Sequence, residues 1–161
     1  MSEIVRVGMA DYKICRPPQK IITLGLGSCV GVILYDRMTK LCGMAHVMLP
    51  DSTQITKNSN RMKFVDTCLL DMYEEMLGLG VRKSELIAKM AGGAKMFSYN
   101  GTNAFLNIGE QNVQAVRRML AGWEIPILSE DVGNCCGRTI EFDTVTGELF
   151  IKTVGFEDFV V

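Results

Sequence analysis

The sequence has no apolar run approaching the roughly 18 residues that a membrane-spanning helix needs. Its opening, Met1-Ser2-Glu3-Ile4-Val5-Arg6, lacks the basic start and apolar middle of a secretory signal. These absences point to a cytoplasmic protein with no membrane insertion. A charge excess is also missing: 17 Lys and Arg stand against 18 Asp and Glu, a net charge of −1. Without a basic field, nucleic acid or an anionic membrane surface is excluded as the main partner, which leaves a protein or a small molecule. The six cysteines, Cys15, Cys29, Cys42, Cys68, Cys135 and Cys136, show no Cys-x-x-Cys spacing. The four-ligand spacings of a structural zinc site are absent too, so no metal is expected. In a reducing compartment the cysteines stay thiols, most of them as small buried hydrophobes. Histidine occurs once, at His46.

What is present is enough for one compact domain spanning residues 1–161, with a real core. Two runs organise it. The first, from Ile21 to Tyr35, is an apolar segment that stops at Gly25-Leu26-Gly27, delivers Ser28 and Cys29, and resumes as a Val- and Ile-rich strand. The second, from Leu41 to Pro50, carries His46. Between them Asp36-Arg37-Met38-Thr39 is polar enough to turn, and the runs pair as a hairpin. A four-residue loop there sets Tyr35 opposite Lys40 and Cys29 opposite His46. Directly opposed residues share a face with Cβ atoms about 4.5–5.5 Å apart, close enough for a thiol–imidazole contact. A one-residue slip would separate them onto opposite faces.

Upstream, Ile4–Met9 alternates as a half-buried strand would, giving one strand or two short ones before Arg16-Pro17-Pro18-Gln19 interrupts. Thr53–Asn60 is polar and aperiodic, a surface loop near His46. From Arg61 to Leu77, Met62, Val65, Leu69, Met72 and Met76 recur at steps of three and four. The spacing predicts a helix capped by Ser59 or Asn60 and stopped by Gly78. Leu86–Ala91 reads as a strand entering the Gly92-Gly93-Ala94 turn. A second helix over 109–121 buries Val113, Val116, Met119 and Leu120, with Gly122 past its end. Ile125–Glu130 is a strand in which Pro126 favours an edge. Arg138–Asp143 and Glu148–Val154 form a closing hairpin. Many strands and two helices without regular alternation predict an α+β fold of packed mixed or antiparallel sheets, not a doubly wound parallel sheet.

The chemistry the central hairpin offers is nucleophilic. A thiol beside an imidazole gains a proton acceptor, making Cys29 the nucleophile and His46 its base. The small residues Gly25, Gly27 and Ser28 let a substrate carbonyl approach, and the Cys29 N–H is the first candidate oxyanion donor. Thr23, on the preceding strand, is the nearest polar group to orient the ring. Each residue also has a plainer reading: Cys29 and His46 as packing residues, Thr23 as an ordinary β-branched strand residue. A dinucleotide loop is ruled out because Val30 stands where a third glycine is required. The vicinal Cys135 and Cys136 leave a thiol-redox role open.

The run Thr23-Leu24-Gly25-Leu26-Gly27-Ser28-Cys29, followed by Ala45-His46-Val47-Met48-Leu49-Pro50, resembles the bacterial chemoreceptor glutamine deamidases, the CheD family. The resemblance continues through Val7–Tyr12, Gly92–Phe97, Asn107–Asn112, Gly137-Arg138 and the final hairpin, covering nearly the whole chain. It implies a cytoplasmic protein-glutamine glutaminase that converts glutamines of methyl-accepting chemotaxis receptors to glutamate with release of ammonia. Cys29, His46 and Thr23 take the catalytic positions, and no cofactor is called for. A methyl ester would fit the same chemistry, so methylesterase activity is permitted. The resemblance further implies a fold similar to the cysteine deamidase toxins, sheets flanked by helices, and the phosphatase CheC as partner. The alternative is a docking module that binds and regulates CheC. One departure is Asn134, where the family commonly has a second glycine after Gly133; asparagine tolerates left-handed backbone angles.

Overall fold

The computed structural model describes residues 3–52, 60–95 and 107–161. Most of the Thr53–Asn60 loop, including the candidate cap Ser59, and the Met96-Phe97 end of the glycine turn lie outside the described residues.

Among the described residues ten strands and two α-helices follow in the order β1 (Ile4–Val7), β2 (Asp11–Cys15), β3 (Lys20–Leu26), β4 (Val30–Asp36), β5 (Cys42–Val47), α1 (Val65–Gly78), β6 (Leu86–Gly92), α2 (Ile108–Gly122), β7 (Ile127–Val132), β8 (Arg138–Asp143), β9 (Leu149–Thr153) and β10 (Phe159–Val160). They make two five-stranded mixed sheets: β1-β3-β8-β9-β10, and β2-β5-β4-β6-β7. The first sheet lies on one face of the second, and α1 and α2 lie on the other. This is the α+β arrangement of packed sheets and flanking helices expected from the sequence.

The layering explains why β4, β5 and β6 read as continuous apolar runs rather than alternating ones. Each is covered on both faces and buried along nearly its whole length. Ile33, Tyr35 and Met44 meet Ile21, Ile140, Phe142 and Ile151 between the sheets. Tyr35 and Phe142 pack edge-to-face there, with ring centroids 5.0 Å apart. Val32, Leu34, Ala88 and Met90 face the helices, where Leu69, Met72, Met76, Val116 and Leu120 close the second core.

The long first run of the sequence is therefore two strands in two sheets. β3 belongs to the first, β4 to the second, and Gly27-Ser28-Cys29 crosses between them. Gly25, at φ +72°, sits in an irregularity of the β3–β8 ladder between Thr23 and Leu26.

The β4–β5 hairpin forms as expected, with its register moved by two residues. Tyr35 faces Cys42 rather than Lys40, and His46 faces Gly31 rather than Cys29. The cause is Asp36. Instead of opening the loop it ends the strand, its carbonyl accepting from the Lys40 N–H at 2.7 Å and its carboxylate folding over the turn. It takes the Met38 N–H at 3.0 Å and the Thr39 hydroxyl at 2.5 Å, while Lys40 adopts φ +64°. The Asp36 N–H in turn donates to the Leu41 carbonyl at 2.9 Å.

α1 starts later than its periodicity suggests. Asn60 accepts from the Met62 N–H and caps a single 3₁₀ turn at Arg61–Lys63, and the helix begins after Phe64. Gly78 is its last residue, and the chain breaks away at Gly80, where φ is +97°. α2 runs from Ile108 to Gly122, one residue beyond the expected span at each end. β7 is an edge strand preceded by Pro126, as the proline implied. Asn134 adopts φ +59°, the left-handed conformation a glycine would otherwise supply.

Candidate active site

Three elements bring the candidate residues together. Thr23 projects from β3 in the first sheet and His46 from β5 in the second; Cys29 ends the crossing between the sheets. Both Thr23 and His46 are about 1% exposed. Their side chains meet across the inter-sheet space, with Thr23 Oγ1 and His46 Nδ1 2.7 Å apart.

The chemistry of that contact assigns the tautomer. The Thr23 hydroxyl has one hydrogen, and it donates to the Val7 carbonyl at 2.8 Å, an oxygen that can only accept. Thr23 Oγ1 must therefore accept from His46, and Nδ1 carries the ring proton. In the neutral ring Nε2 is then left with its lone pair free. His46 Nε2 is buried and has no hydrogen-bond partner among the described residues. A ring with one nitrogen held by an acceptor and the other bare is set up to take a proton.

Cys29 is on the same side of the second sheet as that ring. In β4, Ile33 and Tyr35 point between the sheets, and the alternation continues back through Gly31 to Cys29, which joins the same cluster. Because His46 is paired with Gly31, Cys29 is its diagonal neighbour, a relation in which Cβ atoms stand about 7 Å apart. The ring is held by Thr23 and its Nε2 meets no partner among the described residues, so the two side chains are not in contact here and the reach across the gap falls to the Cys29 side chain. A two-residue shift thus keeps the pair on one face, where a one-residue shift would have parted it. Gly31 presents no side chain between them.

Across the β2–β5 ladder His46 is paired with Asp11. Burial pushes the His46 imidazole below its ordinary value of 6.5, and burial pushes the Cys29 thiol above 9.0, with its own backbone N–H offsetting part of the rise. Both shifts run toward the uncharged forms of thiol and imidazole.

The candidate oxyanion and substrate loop is held from behind. The Ala94 N–H donates to the Gly27 carbonyl at 2.8 Å, and the Gly93 N–H to the Cys29 carbonyl at 2.9 Å. Gly92 permits this approach: at φ +113°, a Cβ there would come within 2.3 Å of the Cys29 carbonyl oxygen. Gly25 is turned to a different surface, a cavity of about 440 Å³ shared with Gly137, Arg138, Lys152 and Phe156. Of the predicted loop, Gly27 and Ser28 adjoin Cys29 in the crossing, while Gly25 sits in the strand irregularity before it.

Two residues near the site carry roles their sequence positions did not announce. Arg138, 3% exposed, binds Asp131 at 2.8 Å and donates to the Gly92 and Gly133 carbonyls at 3.3 and 3.0 Å. It fastens the Gly92 turn to the loop bearing Cys135 and Cys136, whose sulfurs are 4.0 Å apart. Asn112 is fully buried, with its amide against the Ser28 and Met48 carbonyls. Its sequence signals were its place at the end of the Asn107–Asn112 run of the family likeness and its position as a polar residue inside the apolar stripe of Val113, Val116 and Leu120. Among the described residues no group of three or more His, Cys, Asp or Glu side chains could hold a metal ion, and no helix is long and apolar enough to cross a membrane.

Comparison with known proteins identifies the family of the chain. Residues 48–153 match the family described as CheD chemotactic sensory transduction. A protein of Lachnoclostridium phytofermentans named "Probable chemoreceptor glutamine deamidase CheD" is 52% identical over 155 residues, covering 96% of both chains. One of Halalkalibacterium halodurans named "Chemoreceptor glutamine deamidase CheD" is 50% identical over 155 residues, again covering 96% of both. Among solved structures, the hypothetical protein YfiH of Bacillus licheniformis superposes with a TM-score of 0.48 at 16% identity, over 78% of this chain and 51% of that one. That likeness is too distant to argue from.

Proposed function

Because the chain belongs to the CheD family, we propose that it is a single-domain chemoreceptor glutamine deamidase in which Cys29 is the nucleophile, His46 the base and Thr23 the residue that orients it. The observation that carries the mechanism is the Thr23–His46 contact, since it leaves the imidazole with its free nitrogen unprotonated on the face that Cys29 shares.

The steps follow from those protonation states. Sγ of Cys29 attacks the carboxamide carbon of a receptor glutamine while His46 Nε2 takes the thiol proton. The carbonyl π pair moves onto oxygen, where the Cys29 N–H can donate to it. Collapse of this tetrahedral intermediate breaks the C–N bond, and the imidazolium returns its proton to the departing nitrogen, which leaves as ammonia. His46 then deprotonates a water that attacks the thioester, and the sulfur departs and is reprotonated as glutamate forms. The imidazolium needs no anionic partner because its charge is transient, and the Thr23 hydroxyl keeps the ring aligned throughout. A glutamate methyl ester would enter the same cycle with methanol as the leaving group.

Incubating the protein with a receptor cytoplasmic fragment tests this reading. Ammonia appears with the wild type and is absent with Cys29→Ala, while any association with CheC phosphatase survives the substitution. Continued ammonia release by Cys29→Ala overturns the cysteine mechanism, and a wild type that releases none overturns the deamidase reading.

A further inference from the structure

The Asn112 amide occupies a place that packing alone does not explain. Asn112 is on the buried face of α2 and is fully shielded from solvent. Its Nδ2 donates one hydrogen to the Ser28 carbonyl at 3.0 Å and the other to the Met48 carbonyl at 2.9 Å. Both neighbours are carbonyl oxygens, so the nitrogen must be the atom that faces them. Oδ1 is buried with no partner among the described residues. An unpaired buried acceptor is costly, and an apolar side chain would avoid it. What the amide alone provides is a bridge between the residue before the nucleophile and the residue two beyond the base.

The bridge controls a direction. The Ser28–Cys29 peptide is trans, and in a trans peptide the carbonyl and the following N–H point opposite ways. Drawing the Ser28 oxygen toward α2 turns the Cys29 N–H away from the helices, toward the side on which the sulfur lies. That N–H donates to no other described residue. The second bond, to Met48, fixes the amide's own orientation against the end of the His46 strand.

We propose that Asn112 is a positioning residue that, by binding the Ser28 carbonyl, aims the Cys29 N–H at the oxyanion formed during deamidation. The inference rests on the deamidase reading and deepens it. Asn112 touches neither substrate nor sulfur and acts through the peptide it holds.

The test compares wild type, Asn112→Ala and Asn112→Asp, the second being the same size without the N–H donors. Three quantities are read: kcat and KM for ammonia release from a receptor cytoplasmic fragment, Cys29 alkylation by iodoacetamide followed by peptide mapping, and thermal melting. Alkylation displaces iodide at a carbon that never becomes an oxyanion, so it reports the thiol–imidazole pair alone. Loss of an oxyanion donor lowers kcat by about 100-fold. The expected result is a fall of about that size in both variants, with KM and the rate of Cys29 alkylation each within about threefold of wild type. Wild-type kcat in either variant overturns the proposal. So does a parallel loss of kcat and alkylation, or failure of both variants to fold, since each makes Asn112 a general structural residue. A wild type that releases no ammonia is a separate outcome, visible before any variant is made, and it removes the deamidase reading and this inference together.

Discussion

The Thr23 hydroxyl gives its one hydrogen to Val7, and the protonation of a ring in the opposite sheet follows from that. Replacing Thr23 with Val removes the acceptor for Nδ1–H and leaves a buried donor unsatisfied, while Ser keeps it. Thr23→Val should therefore lower kcat by about 10- to 100-fold, the scale of general-base catalysis lost through a misplaced ring, and Thr23→Ser should retain most of it. Steady-state kinetics of the two variants check this. The pH profile follows from the same burial. His46 is a base only when neutral, and burial holds its pKa below 6.5. Activity should persist as pH falls through 6.5 and be lost only at the lowered value. On the alkaline side the loss comes above 9.0, where the buried Cys29 thiol gives its proton to solvent instead of relaying it to ammonia. The plateau of kcat/KM is thus wider than free imidazole and thiol would give. An acid limb centred above 6.5 contradicts the account.

At the scale of elements, the crossing between β3 and β4 is the feature to explain, because it carries the nucleophile out of one sheet and into the other. Gly92, at the end of β6, backs it. Gly92→Ala meets both a φ of +113° and a Cβ contact of 2.3 Å with the Cys29 carbonyl. Strain of this kind costs about 1–3 kcal/mol, so the variant should melt several degrees lower and lose activity beyond its loss of stability. Differential scanning calorimetry and kinetics at a temperature below both transitions separate the two effects. The hairpin itself was legible in the sequence from two apolar runs around a polar turn; its register was not. Whether Asp36 opens the loop or closes the strand depends on a carboxylate bonding its own turn, and composition does not encode that choice. The parity of the Cys29–His46 relation survived because the shift was an even number of residues. β2 and β10 were weaker signals. β2 is a short edge strand bounded by prolines downstream, and the two residues of β10 carry no period.

For the molecule as a whole, the α+β class was readable from strand number, two strong helical stripes and the absence of alternation. The three catalytic candidates were readable from residue type and family likeness. Asn112 and Arg138 were not, because their partners are main-chain carbonyls more than 40 residues away in sequence for the contacts that matter most. Such bonds exist only once the two sheets and the helices have been stacked. Arg138 joins the Gly92 turn, the 133–137 loop and Asp131. Its side chain is 1% exposed and that of Asp131 23%, so the pair is only partly desolvated. Truncation by Arg138→Ala leaves two carbonyls and a carboxylate without their donor and should cost about 2 kcal/mol, seen as a lower denaturation midpoint with an unchanged m-value. A midpoint equal to wild type would show that the loop holds without it.

The central claim is that a receptor glutamine is transferred to the sulfur of Cys29. Rapid mixing with a glutamine-containing receptor fragment, acid quenching and mass mapping of the enzyme test it directly. The account predicts a transient adduct on the Cys29 peptide equal in mass to the fragment less ammonia, released by hydroxylamine as a thioester is. Turnover of the fragment with no such adduct in Cys29, or with the adduct on another residue, would contradict it.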